Sequence, residues 1–156
     1  MTKSVLLSIR ANPGLMWNSW NPAIALLEEA GFQVIDNRTP EPVAEERLLH
    51  LVADVDGLIV GLEHVGASVI GAGSRLRFVG KPGAGVDNID VEEATRRGIM
   101  VCNTAGSNAE AVADHTFALI LAVLRRIPFL HDLTRAGKGW DKWPPVIGGE
   151  LWQKTI

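Results

Sequence analysis

The sequence predicts an α/β fold with a doubly wound, parallel, five-stranded sheet, followed by a long helix and an arm. Short apolar runs alternate with capped helical segments over roughly the first hundred residues, the pattern of repeated strand–helix–strand units. The third run, "GLIVG", is continuously apolar, as strands covered on both faces of a parallel sheet are. Together these two observations favour parallel strands joined by right-handed crossovers.

The elements follow one another in order along the chain. Asn21 is the predicted N-cap of the first helix and Pro22 its first residue, while Asp90 and Glu93 form a predicted capping box for the fourth. The predicted strands are "SVLLSI", "FQVID", "GLIVG", "LRFVG" and "IMVCN", and the helices between them are "NPAIALLEEAG", "AEERLLHLVADV", "ASVIGAG" and "DVEEATRRG".

The pattern changes after Cys102. Ser107 and Glu110 predict a second capping box, opening a helix that runs to about Arg126. This helix is apolar on nearly every face, so we expect it to lie between domains or between subunits. The final residues, rich in Pro, Gly and Trp, indicate an ordered arm, and "LWQKTI" the approach to another strand. The predicted domains are therefore 1–102 and 103–156.

Composition excludes several functional classes. The net charge of −3 without a basic block argues against a nucleic-acid surface. Cys102 is the only cysteine, and the N-terminal apolar run is too short for a signal peptide, so a cytoplasmic location is expected. Cys102 itself is expected to be buried. The longest apolar stretch is shorter than the roughly 20 residues of a membrane span, and the histidines lack metal-ligand spacing, so neither a membrane span nor a metal site is predicted.

Parallel sheets bind ligands beyond the carboxyl ends of their strands, and four loops meet that criterion: "RANPGLMWN", "GLEHVG", "GKPGAGVDNID" and "NTAGSN". The backbone amides of Gly83, Ala84 and Gly85, with Lys81 nearby, could hold a carboxylate. From the residues alone, a simple tight turn at these glycines and a solvated Lys81 are favoured. Glu63 and His64 look like an acid and base pair, yet a solvated surface pair is the simpler interpretation.

Nucleotide fingerprints do not match. "GAGVDN" has Asn88 where the third glycine of G-x-G-x-x-G is required, and "GAGSRL" has Leu76 there. "GKPGAG" is not a Walker loop either. The chain is therefore predicted to have no dinucleotide site of its own.

Four segments in order resemble the D-isomer-specific 2-hydroxyacid dehydrogenases, particularly the phosphoglycerate dehydrogenase-like branch, over essentially the whole chain. They are "LEEAGFQVIDN", "ADVDGLIVGLEHV", "LRFVGKPGAGVDNIDVEEATRRGIMVCNTAGSNAEAVADHT" and "GGELWQKTI". The resemblance implies a flavodoxin-like substrate domain over 1–102, with 103–156 as the first helix and arm of an incomplete Rossmann domain. It also implies a homodimer built by the helix 108–126.

The implied reaction is reversible hydride transfer between a small 2-hydroxy acid and NAD. By resemblance, Gly83, Ala84 and Gly85 would bind the substrate carboxylate, and Lys81 stands where an Arg is common. The resemblance also places Gly61 and Glu63 at the substrate, and Ala84, Asn108 and Thr116 at the cofactor. It moves the ligand interpretation of the glycine loop ahead of the turn interpretation.

Two departures qualify the resemblance. The family's G-x-G-x-x-G and its catalytic Arg, Glu and His match no residue of this chain, so no catalytic residue is assigned and the chain alone is expected to be inactive. Members acting on phosphoglycerate carry an Arg near the end of strand three, where this chain has Gly61, Leu62 and Glu63. The alternative function is a non-catalytic α/β binding or dimerisation module derived from this fold.

Overall fold

The computed structural model describes residues 2–9, 21–138 and 147–155. Within them, five strands and six helices follow one another along the chain. The strands are β1 (Ser4–Ser8), β2 (Gln33–Asp36), β3 (Gly57–Val60), β4 (Phe78–Lys81) and β5 (Met100–Asn103). The helices are α1 (Asn21–Glu29), α2 (Glu45–Val52), α3 (Ala67–Ala72), α4 (Val91–Arg96), α5 (Ala109–Leu124) and α6 (Ile127–Arg135).

The strands form one parallel sheet in the order β2-β1-β3-β4-β5, which confirms the predicted fold class. The chain runs from β1 to β2 at one edge of the sheet and then crosses back over β1 to β3. β4 and β5 follow on the side of β3 that is away from β1. Strand order therefore reverses between β1 and β3, the position at which doubly wound sheets place their ligands.

The core lies on the sheet face that α2, α3 and α4 cover. Strand residues such as Leu6, Leu58 and Val79 pack there against buried helix residues such as Leu48 and Ile70, all at most 1 % exposed. Each such side chain contributes about 1.5–3 kcal/mol relative to leaving it in water. This packing holds β3, β4 and β5 in register and so positions the loops at their carboxyl ends.

Among the described helices of residues 1–107, α1 is the one that covers the opposite face of the sheet. Right-handed crossovers require this, because the β1-to-β2 connection runs toward the β2 edge of the sheet whereas the other three connections run toward the β5 edge. Met100 and Cys102, which alternate with Val101 along β5, therefore lie on an open face, and Met100 is 63 % exposed. The expectation that Cys102 is buried was wrong for this reason, since its thiol is exposed.

The capping box of α4 is half formed. The Asp90 carboxylate accepts the hydrogen bond of the Glu93 amide at 2.9 Å, as predicted. Glu93 does not reach back to Asp90, because its buried carboxylate pairs with Arg96 and Arg97, while the Asp90 amide donates to the carbonyl of Val65.

The region after β5 differs from its prediction. Helix α5 begins after Asn108, whose side chain makes no capping bond, so the Ser107–Glu110 capping box was wrong. Arg126 has left-handed backbone (φ 52°), which ends the long helix and starts α6. The segment that forms α6 was predicted to be part of an arm, although Pro128 suits the first turn of a helix. Residues 151–155 form a turn and no strand.

The chain separates into two compact units, residues 1–107 and 108–156. The first contains the whole sheet, and the second contains α5 and α6. Their assignment to a substrate domain over 1–102 and a cofactor domain over 103–156 stays a prediction. In the described part of the chain, no helix combines the length and apolar character that a membrane crossing needs.

Candidate functional site

Three loops of the first unit meet at the carboxyl edge of the sheet. Ile59 pairs with Gly80, and Lys81 pairs with Asn103, so the residues that follow β3, β4 and β5 emerge side by side. The register therefore brings the segment 61–63, the glycine loop 82–88 and the exit of β5 to one edge. The predicted loop "RANPGLMWN", residues 10–18, lies outside the described residues.

The glycine loop is anchored through its carbonyls. The Gly83 carbonyl accepts a hydrogen bond from the Thr104 amide at 3.1 Å, and the Ala84 carbonyl accepts one from the Asn103 side chain at 2.7 Å. The amides of Gly83, Ala84 and Gly85 donate to no other described residue. The loop is therefore fixed by bonds to its carbonyls, and its three amides are left without an acceptor among the described residues. These amides are available to an acceptor from outside the chain.

The backbone of this loop requires glycine at position 83. Gly83 has φ +157°, a value that residues with a Cβ rarely adopt. At Gly85 an added Cβ would lie 2.8 Å from the Asp87 carboxylate oxygen. Ala84 and Gly85 are exposed and Gly83 is half-buried, so a ligand can approach the amides closely.

Lys81 joins the ends of two strands. Its ammonium group donates a hydrogen bond to the Gly61 carbonyl, and the residue is half-buried. The interpretation of Lys81 as a solvated charge was therefore wrong. This bond joins the end of β3 to the end of β4, immediately before the glycine loop.

Glu63 is buried inside the turn that follows β3. It is 1 % exposed, and one carboxylate oxygen accepts the hydrogen bond of the Gly61 amide at 2.9 Å. The other oxygen has no hydrogen-bond partner among the described residues. Interpreting Glu63 and His64 as a solvated pair was wrong for Glu63, although His64 is exposed.

Sequence reasoning missed the role of Asn88. Its side-chain amide donates to the backbone carbonyls of Gly61 (3.2 Å) and Glu63 (2.6 Å). The backbone carbonyl of Asn88 accepts a hydrogen bond from the Val65 amide at 2.8 Å. Asn88 therefore fastens the glycine loop to the turn after β3. The sequence did offer one indication of this role. Asn88, whose side-chain NH2 can donate two hydrogen bonds, stands where a dinucleotide fingerprint would need its third glycine.

A shallow depression of ≈ 290 Å³ lies at this edge, lined by Leu62, Lys81, Gly85, Asp87 and Asn88. The cation among these lining residues, Lys81, already serves the Gly61 carbonyl, whereas the Asp87 carboxylate is exposed. Leu62 adds an apolar side chain that is 64 % exposed. The depression therefore combines an exposed apolar side chain and an exposed carboxylate beside the glycine loop.

The other predicted site residues lie in the second unit. Asn108 precedes α5, and its side chain makes no capping bond. Thr116 lies within α5, and its hydroxyl donates to the Val112 carbonyl at 2.7 Å, so its oxygen can still accept a hydrogen bond. Among residues 2–9, 21–138 and 147–155, no three His, Cys, Asp or Glu side chains are grouped so that they could hold a metal ion.

Comparison with known proteins identifies the family. Residues 17–142 match the catalytic domain of the D-isomer specific 2-hydroxyacid dehydrogenases. A glyoxylate reductase of Pyrococcus furiosus is 42 % identical over 140 residues, a match that spans 85 % of this chain and 41 % of that protein.

Solved structures give the same result. The TT0316 protein of Thermus thermophilus superposes with a TM-score of 0.78 at 34 % identity, over 95 % of this chain and 45 % of that one. An NAD⁺-bound 3-phosphoglycerate dehydrogenase of Entamoeba histolytica gives a TM-score of 0.69 at 26 % identity, over 80 % and 40 %. The chain spans less than half the length of these relatives. With its fold and its sequence in agreement, the chain belongs to the D-isomer-specific 2-hydroxyacid dehydrogenase family.

Proposed function

We propose that this chain is the substrate-binding portion of an NAD-dependent oxidoreductase that acts on the CH–OH group of a small 2-hydroxy acid. The observation that carries the proposal is the set of amides at Gly83, Ala84 and Gly85. They donate to no other described residue, they are accessible, and they lie at the edge of the sheet where ligands bind. Successive unpaired N–H groups in a turn of this kind can form an anion site.

In this proposal the amides grip the substrate carboxylate, and Lys81 and Asn88 hold the loop that presents them. Glu63 and Gly61 form the wall after β3, with the Gly61 amide directed to Glu63 and away from the ligand. The acid is oriented by its carboxylate, so that its C2 carbon faces outward from the sheet edge. NAD would supply the hydride acceptor for the C2 hydrogen of this acid, and with loss of the hydroxyl proton to water the acid would become a 2-oxo acid.

Ala84, Asn108 and Thr116 are the residues that we propose to contact the cofactor. Ala84 is an exposed residue of the glycine loop, Asn108 has a side-chain amide that makes no capping bond, and Thr116 offers an acceptor oxygen. The described part of the second unit contains helices and a turn but no strand that could carry a glycine fingerprint. We therefore propose that this chain alone supplies one side of the cofactor site and does not catalyse hydride transfer.

The helix 108–126 is proposed to form a homodimer. Phe117, Leu119, Leu121 and Val123 on α5 are each at least 41 % exposed, which is a large apolar surface for one helix. Light scattering tests this, since Leu121→Asp should halve the mass of a dimer. An unchanged dimer mass would show that another surface joins the subunits.

The substrate proposal is tested by titrating the ¹⁵N-labelled chain with glycolate and, as a matched control, with glycolamide, which has the same shape without the charge. Glycolate should shift the amide resonances of residues 83–85 in a saturable way, and glycolamide should not. Ala84→Pro removes one of the three donors and should weaken glycolate binding, with urea unfolding used to confirm that the variant folds. Equal responses to both compounds would overturn the proposal.

A further inference from the structure

A second cluster of charge lies at the amino edge of the sheet, opposite the proposed substrate loop. Residues that precede four of the strands line a depression of ≈ 510 Å³ there. β4 separates the two edges by its own length, or about 13 Å at the usual rise per strand residue. The lining residues are Lys3, Asp56, Ser74, Arg75, Leu76, Arg77, Arg97 and Gly98.

The charges in this depression are unbalanced. Four cations line it, and two of them have carboxylate partners: Arg75 pairs with Asp56 at 2.7 Å, and Arg97 pairs with Glu93, which also serves Arg96. The side chains of Lys3 and Arg77 make no hydrogen bond or ion pair with any other residue in the described ranges, and both are exposed. The depression therefore keeps about two uncompensated positive charges, although the whole chain carries −3.

The ion pairs hold the depression in shape. Asp56 also accepts the hydrogen bond of the Ser4 amide at 2.8 Å, so Arg75 is attached through Asp56 to the start of β1. The Ser74 hydroxyl donates to the Ala53 carbonyl at 3.1 Å. These contacts position a guanidinium group beside two unpaired cations before any ligand arrives, which lowers the ordering cost of binding.

We propose that this amino-edge depression binds a small phosphorylated molecule, with Arg75, Arg77 and Lys3 as its contacts. A phosphate monoester carries nearly two negative charges at neutral pH and matches the uncompensated charge. A guanidinium group can donate two parallel hydrogen bonds to two oxygens of one phosphate, as Arg75 and Arg77 would do here. The ammonium of Lys3 is the third, more flexible contact. The ligand would bind away from the glycine loop and independently of the substrate.

The test uses inorganic phosphate as the probe and the ¹⁵N-labelled chain, at constant ionic strength with chloride as the reference anion. Phosphate should shift the amides of residues 74–77 and Gly98 in a saturable way, and chloride should not. Arg77→Gln and Lys3→Gln should each weaken phosphate binding at least about tenfold, the factor for one lost charge-assisted hydrogen bond. Lys138→Gln, the same charge change in the second unit, should leave binding unchanged.

Two outcomes would overturn this proposal. Shifts that grow linearly without saturation would mean an adventitious ion only, and so would equal weakening by Lys138→Gln and Arg77→Gln. Glycolate reports on residues 83–85 and phosphate on residues 74–77, so the substrate proposal and this one can fail separately. Urea unfolding of each variant checks that a loss of binding does not come from a loss of fold.

Discussion

Replacement of Asn88 by Ala should destabilise the protein by about 2 kcal/mol, since two hydrogen bonds worth about 1 kcal/mol each are lost together. The Asn88 side chain donates to the carbonyls of Gly61 and Glu63, at 3.2 and 2.6 Å, in a partly buried setting. For a chain of this size the loss corresponds to a fall in Tm of about 4–8 °C.

Equilibrium unfolding in urea measures this change, with an unchanged slope showing that the unfolded state is not altered. Asn88→Asp keeps the shape but turns a donor into an acceptor facing two carbonyls, so it should cost at least as much as Asn88→Ala. The neighbouring, exposed Asp87→Ala is the control and should stay within about 0.5 kcal/mol of the parent. A value for Asn88→Ala inside that same window would refute the reasoning that this side chain fastens the two loops together.

Three further predictions concern single contacts. Asp90→Ala should cost about 1 kcal/mol in urea unfolding because it removes an observed helix cap, whereas Ser107→Ala should cost almost nothing, and comparable costs would contradict the cap assignment. Glu63→Ala should cost about 2–4 kcal/mol, through a cavity and an unpaired Gly61 amide, while Glu63→Gln keeps an acceptor oxygen and should cost much less; equal costs would mean that the Gly61 contact is unimportant. The pKa of Asp56 is held below its ordinary value by the Ser4 amide and the Arg75 guanidinium, so its stabilising contribution is complete above the unfolded-state value of 3.8 and is lost as the pH falls through the lower folded-state value. The stability gap between the parent and Asp56→Asn should accordingly close in strong acid, and a gap independent of pH would contradict this assignment.

Much of the fold followed from local patterns in the sequence. The apolar runs of β3 and β4 and the cap at Asp90 are each specified by neighbouring residues, and each was predicted correctly. Helix α6 was missed because proline and glycine nearby suggested an arm, although proline is well tolerated in a first helical turn. The burial of Cys102 was also wrong, since it depends on which sheet face the crossovers leave open and not on the residue itself.

The site was only partly predictable. Side-chain-free backbone at Gly83 and Gly85 pointed to the loop, because the requirement for glycine is a local property. The roles of Lys81 and Asn88 depend on a carbonyl 20 and 27 residues away in the chain, at Gly61. No spacing rule links positions that far apart, so only the register of β3 against β4 could reveal them.

The open side of the sheet gives this protein a ready reporter position. Its single cysteine lies on β5 with its thiol exposed, close in sequence to the Thr104 amide that anchors the glycine loop. A maleimide dye should attach at Cys102 alone, without any engineered residue. The emission of such a dye would change when another protein segment binds over that face of the sheet. The rate at which the Cys102 thiol is alkylated would then measure how often that segment dissociates.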